Sequence, residues 1–222
     1  MTIMNSTSSS YLSVFDLDHT LLKVNSSFCF GTYLYREKYF SSLSLFYCLL
    51  YYARHKFLRM SINNLHHKTF KLLFQGRSLA ELNCHVQVFL QQKLKDLFYP
   101  PALAALCKAQ ELGYYTALVS SSPDFLVKPI ADYLQMTYWN ATCYGPNEQG
   151  NLQSILSIME GQDKAVYVQK LSQQLEIPLS SLTVYSDSYL DLPVLKIAGN
   201  AIGVRPDSRL RKFCIKKGWE II

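Results

Sequence analysis

The sequence predicts an α/β fold: a doubly wound parallel sheet with an all-helical segment inserted after its first strand. Three observations carry that prediction. Short apolar, β-prone runs alternate with helix-patterned stretches along residues 99–222, the order that builds a parallel sheet covered on both faces. Several of those runs end in Ser or Asp, which puts polar groups at the carboxyl ends of strands, where open α/β sheets hold their ligands. Finally, residues 26–98 differ from everything around them. They hold 10 Lys/Arg against 3 Asp/Glu and 15 of the aromatics, while the rest of the chain holds 12 Lys/Arg against 13 Asp/Glu. The net charge of +6 therefore resides in that one segment.

Taken in order, Tyr11 to Asp16 is a short apolar run that ends at two acids, in "VFDLDHTLL". An Asp-x-Asp after a strand is on its own an ordinary hydrated turn or helix cap. Residues 26–98 read as wholly helical. Leu43 to Leu58 is apolar nearly all round, and Ser78-Leu79-Ala80-Glu81 fits a capping box opening a helix to about Phe98. Pro101 opens the next helix in the position proline favours, and Gly113 closes it. Tyr114 to Val119 is a strand running into "SSSP", and Phe125 to Leu134 has a helical pattern. Thr137 to Tyr144 is strand-like and is broken by Gly145-Pro146-Asn147. Lys164 to Leu175 is helical, Leu182 to Tyr185 is a strand ending at "SDSYLD", and Leu190 to Lys196 is a short helix. Ala201 to Val204, a helix from Pro206 to Lys217 stopped by Gly218, and a last strand in "WEII" complete the pattern. The division is a core of residues 1–25 and 99–222 around an inserted helical unit, 26–98.

At 222 residues the chain can bury a full core as one domain, or as one domain plus an insert. With 49% hydrophobic and 17% charged residues it is globular rather than disordered. Met1 to Ser10 is polar and serine-rich and lacks the apolar centre of a signal peptide, so a cytoplasmic location is expected. Six cysteines without a CxxC pair read as reduced, mostly buried thiols rather than a zinc site. The basic segment suggests nucleic acid only by its charge, and no recognisable nucleic-acid motif accompanies it, so no nucleic-acid partner is expected.

The polar residues at strand ends form a set. The first strand gives Asp16 and Asp18, the second Ser120, and the 182–185 strand Asp187 with Asp191 four residues on; Lys164 starts a helix between them. Singly, each has a bland reading: a cap for Ser120, Ser121, Ser122 or Asp191, a solvated head for Lys164. Together they converge on one edge of one sheet.

Their order resembles the haloacid dehalogenase-like superfamily: "FDLDHTLL", "ALVSSSP", "GQDKAVYVQKL" and "VYSDSYLDLPVL" look like its four motifs in sequence. The tail "AGNAIGVRPDSRLRKFCIKKGWEII" is similar to the subgroup of phosphoserine phosphatases and phosphatidylglycerophosphatase C-like proteins. The resemblance implies a Rossmann-like core with a helical cap of type C1 after the first strand. It implies a Mg2+-dependent phosphatase that splits a slow hydrolysis into two steps through a phospho-aspartate. Asp16 would be the nucleophile and Asp18 the general acid and base. The metal would be held by Asp16, Asp187 and the backbone carbonyl of Asp18, with Asp191 acting on it through another group or as a weaker ligand. Lys164 and Ser120, with the backbone N–H groups of Ser121 and Ser122 at a helix start, would receive the phosphoryl oxygens. An Asp at position 18 points to a phosphatase within that family, and phosphotransfer with the same residues stays open. Phosphoserine phosphatases have a Glu where Asn25 stands, the residue that meets the substrate's amino group; their substrate-carboxylate Arg corresponds to Lys68. Asn25 and Lys68 are thus the substrate-selecting candidates. Leu190 replaces a common Asn. A rival of another class is a non-catalytic phosphate-binding protein on the same fold.

"LFYCLLYYA", residues 45–53, raises a separate question, because Arg54, His55, Lys56 and Arg59 follow it at once. It is shorter than the about 20 residues needed to span a bilayer. A helix apolar all round is buried in protein or lipid. The first reading makes it the centre of the helical insert. The second makes residues 39–59 a peripheral membrane contact and widens the substrate from a small phosphate ester to a phospholipid or lysophospholipid phosphate.

Overall fold

The computed structural model describes residues 9–58 and 61–222, so the polar stretch at Met1–Ser8 and Arg59 of the basic run lie outside the described residues. The strands are β1 (Leu12–Phe15), β2 (Tyr115–Pro123), β3 (Tyr138–Pro146), β4 (Leu152–Ser157), β5 (Leu182–Ser186), β6 (Asn200–Gly203) and β7 (Glu220–Ile221). They form one sheet in the order β4-β3-β2-β1-β5-β6-β7, parallel throughout except for the antiparallel β3–β4 pair. This is the doubly wound α/β architecture. Its centre is β1, which pairs with β2 on one side and β5 on the other. The register sets Phe15 level with Leu118 and Tyr185, so Asp16 lies one residue past that level, and Ser120 and Asp187 two.

Alternation along the strands divides the apolar residues between the two faces. Val14, Ala117, Val119, Val184 and Ala201 pack beneath α7 (Gly161–Gln174), α8 (Leu192–Ile197) and α9 (Ser208–Lys217). Phe15, Leu118 and Ile202 face the other way, toward α5 (Pro100–Glu111) and α6 (Asp124–Tyr133). Pro100 and Pro101 share the first turn of α5, so the helix opens one residue earlier than Pro101 alone suggests. Gly218 adopts φ +68 to stop α9, a left-handed conformation that costs glycine little.

The insert consists of α1 (Ser26–Arg36), α2 (Ser42–Leu58), α3 (Ile62–Leu73) and α4 (Leu79–Leu97). Side chains of Asn25, Ser61 and Ser78 cap α1, α3 and α4 by accepting from Phe28, Asn64 and Glu81 N–H. Its two ends are tied together at the core: Lys23 N–H donates to Leu97 O at 2.7 Å and Tyr99 N–H to Leu21 O at 2.8 Å. Phe30 and Phe74 of the insert lie against Phe125 of α6, with ring centroids 6.3 and 5.5 Å apart. Insert and sheet therefore share one apolar cluster.

Three expectations are corrected. The helix 43–58 is not the centre of the insert: among its described side chains Leu45 and Cys48 pack toward the core, while Leu43, Phe46, Tyr47, Leu49 and Leu50 are exposed. An apolar composition all round specified burial but not which helix would be left outside. Strand β4 was not expected. Of its residues only Leu152 is buried, so it lacks an apolar signature. Its backbone nonetheless docks on the insert, with Gly76 N–H donating to Leu152 O at 2.7 Å and Leu152 N–H to Arg77 O at 2.8 Å. The cysteines are all free thiols, but only Cys214 is buried, and Cys84 and Cys107 are exposed.

Candidate active site

Asp16 follows β1 directly and is held by its own backbone, which donates from N–H to Tyr185 O at 3.0 Å. Its Oδ1 accepts from Lys164 Nζ at 2.6 Å, and the same ammonium donates to Asp191 Oδ2 at 2.8 Å. Lys164 reaches them because α7 begins at Gly161, packed against the 189–191 turn. A Cβ on Gly161 would stand 2.8 Å from Leu190 O, and its φ of +29 is unfavourable for other residues, so glycine brings the helix start this close. Asp191 also accepts from Ser186 Oγ at 2.7 Å. Its side chain is thus turned to Lys164 and does not cap α8. Asp187 accepts from Thr20 Oγ1 at 3.4 Å.

Burial pushes the Asp16 carboxyl up to about 7, against the pull of Lys164 and with the added repulsion of Asp191. Burial likewise raises Asp187 to about 8, reinforced by the charges of Asp16 and Asp191. For Lys164, burial works against the charged form, but the attraction of Asp16 and Asp191 outweighs it and holds the ammonium above its ordinary range. One buried ammonium thus bonds to two of three neighbouring carboxyl groups, and the site is short of positive charge.

That deficit is what a divalent cation would fill. Among the described residues no group of three or more His, Cys, Asp or Glu side chains is placed to hold a metal. The side-chain donors reduce to Asp16 and Asp187, supplemented by backbone oxygen and water. One or two carboxylates with several retained waters is the set that Mg2+ takes, whereas zinc requires more protein ligands. The residues present fit Mg2+.

Asp18 is held apart from that cluster. The chain turns sharply over Leu17–Leu21, with His19 at φ 59 and its N–H donating to Val24 O at 3.2 Å. The turn aims Asp18 at the first turn of α1: Ser26 N–H donates to Oδ1 at 2.7 Å and Asn25 Nδ2 to Oδ2 at 3.1 Å. Ser122 Oγ donates to Oδ2 at 2.7 Å and lies 2.7 Å from Ser27 Oγ. The sequence assigns Ser122 only a backbone N–H or a capping role, not this side-chain contact. It does not cap α6, because β2 runs on through Pro123 and α6 begins at Asp124. Its N–H donates to Ser120 Oγ at 3.1 Å, so the expected pair of free N–H groups at a helix start is not present in that form. Ser121 O accepts from Thr142 Oγ1 at 2.8 Å, which fixes the strand end.

Asn25 and Lys68 diverge. Asn25 lies beside Asp18, and both ends of its amide are engaged, Nδ2 with Asp18 and Oδ1 with Phe28 N–H at 2.8 Å. Lys68 is exposed on α3, with Nζ 5.1 Å from the Tyr51 ring centroid. The sequence reading missed the contacts of Ser122, Ser186, Thr20 and Ser26 N–H to the acids. Thr20 and Ser186 lie within two residues of a motif acid, which is a weak signal, whereas Ser122 and Ser26 contact Asp18 from 104 and 8 residues away and carry none.

A profile of the family described as "haloacid dehalogenase-like hydrolase" matches residues 13–196. The chain belongs to that family. A protein named phosphoserine phosphatase SerB1 from Mycobacterium tuberculosis is 29% identical over 214 residues, covering 93% of this chain and 68% of the relative. The crystal structure of a protein of unknown function from Bordetella pertussis superposes with a TM-score of 0.84 at 22% identity, covering 95% and 97% of the two chains. A substrate-bound phosphoserine phosphatase superposes at 0.68 with 16% identity, covering 92% and 90%. At those identities the two structures establish the likeness of fold alone.

Proposed function

We propose that this hydrolase is a Mg2+-dependent phosphomonoester phosphatase working through a phospho-aspartate at Asp16. The observation that carries the proposal is the pairing of buried Asp16 with Lys164 at 2.6 Å, while Asp18, two residues on, is separately held by hydrogen-bond donors. The two acids thus have different surroundings and can take different roles.

Mg2+, held by Asp16, Asp187 and the backbone carbonyl of Asp18, would supply the positive charge that lets a carboxylate approach a phosphate. Lys164 neutralises Asp16 and the incoming phosphoryl oxygens, and Ser120 Oγ offers a further contact. An Asp16 oxygen attacks phosphorus, the bond to the leaving oxygen breaks, and Asp18 gives that oxygen its proton. Asp18 then takes a proton from the water that attacks the phosphoryl group, which releases phosphate and restores Asp16. The neighbouring hydroxyls suit both states of Asp18. Ser122 donates to the carboxylate, and by rotating toward Ser27, 2.7 Å away, it can instead accept the proton of the acid form.

The proposed substrate is a small or bulky anionic phosphate ester. The engaged amide of Asn25 supports a substrate without an amino group bound at that position, unlike phosphoserine. The exposed apolar face of α2 extends the range to lipid phosphates; among the described residues no helix is long and apolar enough to cross a membrane. A panel of phosphorylated metabolites and lysophospholipids, assayed with Mg2+ and with excess chelator, tests the reading. Turnover that needs Mg2+ is expected. Undiminished turnover in chelator would remove the metal from the mechanism, and phosphate binding without turnover of any ester would make the protein a phosphate binder.

A further inference from the structure

We propose that the outer face of α2 docks the protein on an anionic membrane surface, with the helix lying in the plane of the interface. Leu43, Phe46, Tyr47 and Leu50 are 62%, 55%, 42% and 43% exposed. Their spacing of three and four places them on one stripe of the helix. On the opposite side Leu45 and Cys48 pack against the apolar core, so α2 is seated by one face and, among the described residues, nothing covers the other. Single exposed apolar residues are ordinary, but four on one stripe form a patch.

Charge selects the occupant. Arg54 is exposed and continues the stripe one turn beyond Leu50. Lys68 and Lys71 are exposed on α3, which packs beside α2, and Arg36 and Lys38 are exposed where the chain enters α2. Between Arg36 and Arg77 the sequence has 8 Lys/Arg and one acid, Glu37. A second copy of the chain would set this basic rim against its own like charge. An anionic lipid surface accepts both features at once: the apolar stripe enters the boundary between head groups and acyl chains, and the rim meets the head groups. The inference rests on the insert alone and is independent of the chemistry proposed for Asp16.

Flotation of the full chain with vesicles of phosphatidylcholine alone, or with phosphatidylglycerol added, tests it. At about 0.1 M salt the protein should float with the anionic vesicles and not with the neutral ones. It should be released at about 1 M salt, where the Debye length falls from about 10 Å to about 3 Å. Phe46→Ser with Leu50→Ser should weaken partitioning by about tenfold per side chain, and Arg54→Glu with Lys71→Glu should abolish it, while turnover of a soluble ester is unchanged in both. Absence of flotation with anionic vesicles would overturn the proposal, as would equal flotation with neutral ones. A dimer in sedimentation that Phe46→Ser with Leu50→Ser dissolves would also overturn it, by giving the face to a second copy.

Discussion

Lys164 and Asp191 are charged and each 3% exposed, whereas Leu43 and Phe46 are apolar and more than half exposed. Both arrangements are costly, and the chain treats them differently. At the strand ends the burial of Lys164 and Asp191 is offset within the molecule, where the ammonium bonds to two carboxyl groups and Ser186 donates to Asp191. Among the described residues no buried side-chain polar atom lacks a hydrogen-bond partner. Along α2 the exposure of apolar surface is not offset by any other described residue. Buried charges given partners by the chain mark the candidate site, which still lacks positive charge at Asp16 and Asp187, and apolar exposure left open marks a surface for something else to cover.

The sharpest way to break this contrast is to remove the cation of the buried cluster. Lys164→Met leaves Asp16 and Asp191 without their shared ammonium. Loss of turnover to background is expected, together with about 3–5 kcal/mol of stability, as for other broken buried pairs. Denaturant unfolding with activity assays checks both; an active, equally stable variant would mean that the cluster does not depend on Lys164.

A smaller effect is expected at Asp18. Ser122→Ala removes one donor to its carboxylate, worth about 1.5–3 kcal/mol for a bond to a charged group. Turnover of an alkyl phosphate, whose leaving oxygen needs a proton, should fall by about 10–100-fold. An aryl phosphate with an acidic leaving group should lose less, and Ser122→Thr should recover most of the rate. Equal losses on both esters would assign Ser122 to structure alone.

Metal removal should register more weakly in the folded protein than in its rate. Mg2+ should raise the melting temperature of the wild type, because on the proposed reading it would supply the charge that Asp16 and Asp187 lack, and should leave that of Asp187→Asn unchanged. Thermal unfolding with and without chelator measures this. The smallest effect belongs to α2: Phe46→Ser should change stability by no more than about 0.5 kcal/mol, because more than half of the side chain is already exposed. A large loss there would place the ring in the core.

The sheet and the acids were legible because their constraints are local. An apolar run ending at Asp16, or at Ser186-Asp187, announces both a buried strand and the polar group at its end. That the sheet is mostly parallel follows from the alternation of strands and helices, whereas the order of its strands does not. β4 escaped because an edge strand with one buried residue, Leu152, has no pattern to read. α2 was read as a helix, but its place was not legible, since which apolar helix remains outside depends on packing among all four. Asn25 was legible as a departure from a family pattern; that its amide bridges Asp18 and the first turn of α1 was not, because two hydrogen bonds set by a turn at His19 leave no trace in residue identity.

The proposed phospho-aspartate is open to direct test. A phosphate ester labelled on phosphorus, mixed with the protein and Mg2+ and quenched in acid within one turnover, should leave label on the peptide that contains Asp16. The label should be released by hydroxylamine, as an acyl phosphate is, and should be absent from Asp16→Asn, which should also lack turnover. Hydrolysis that proceeds with no labelled protein, or with label on another residue, would contradict the assignment of Asp16 as nucleophile.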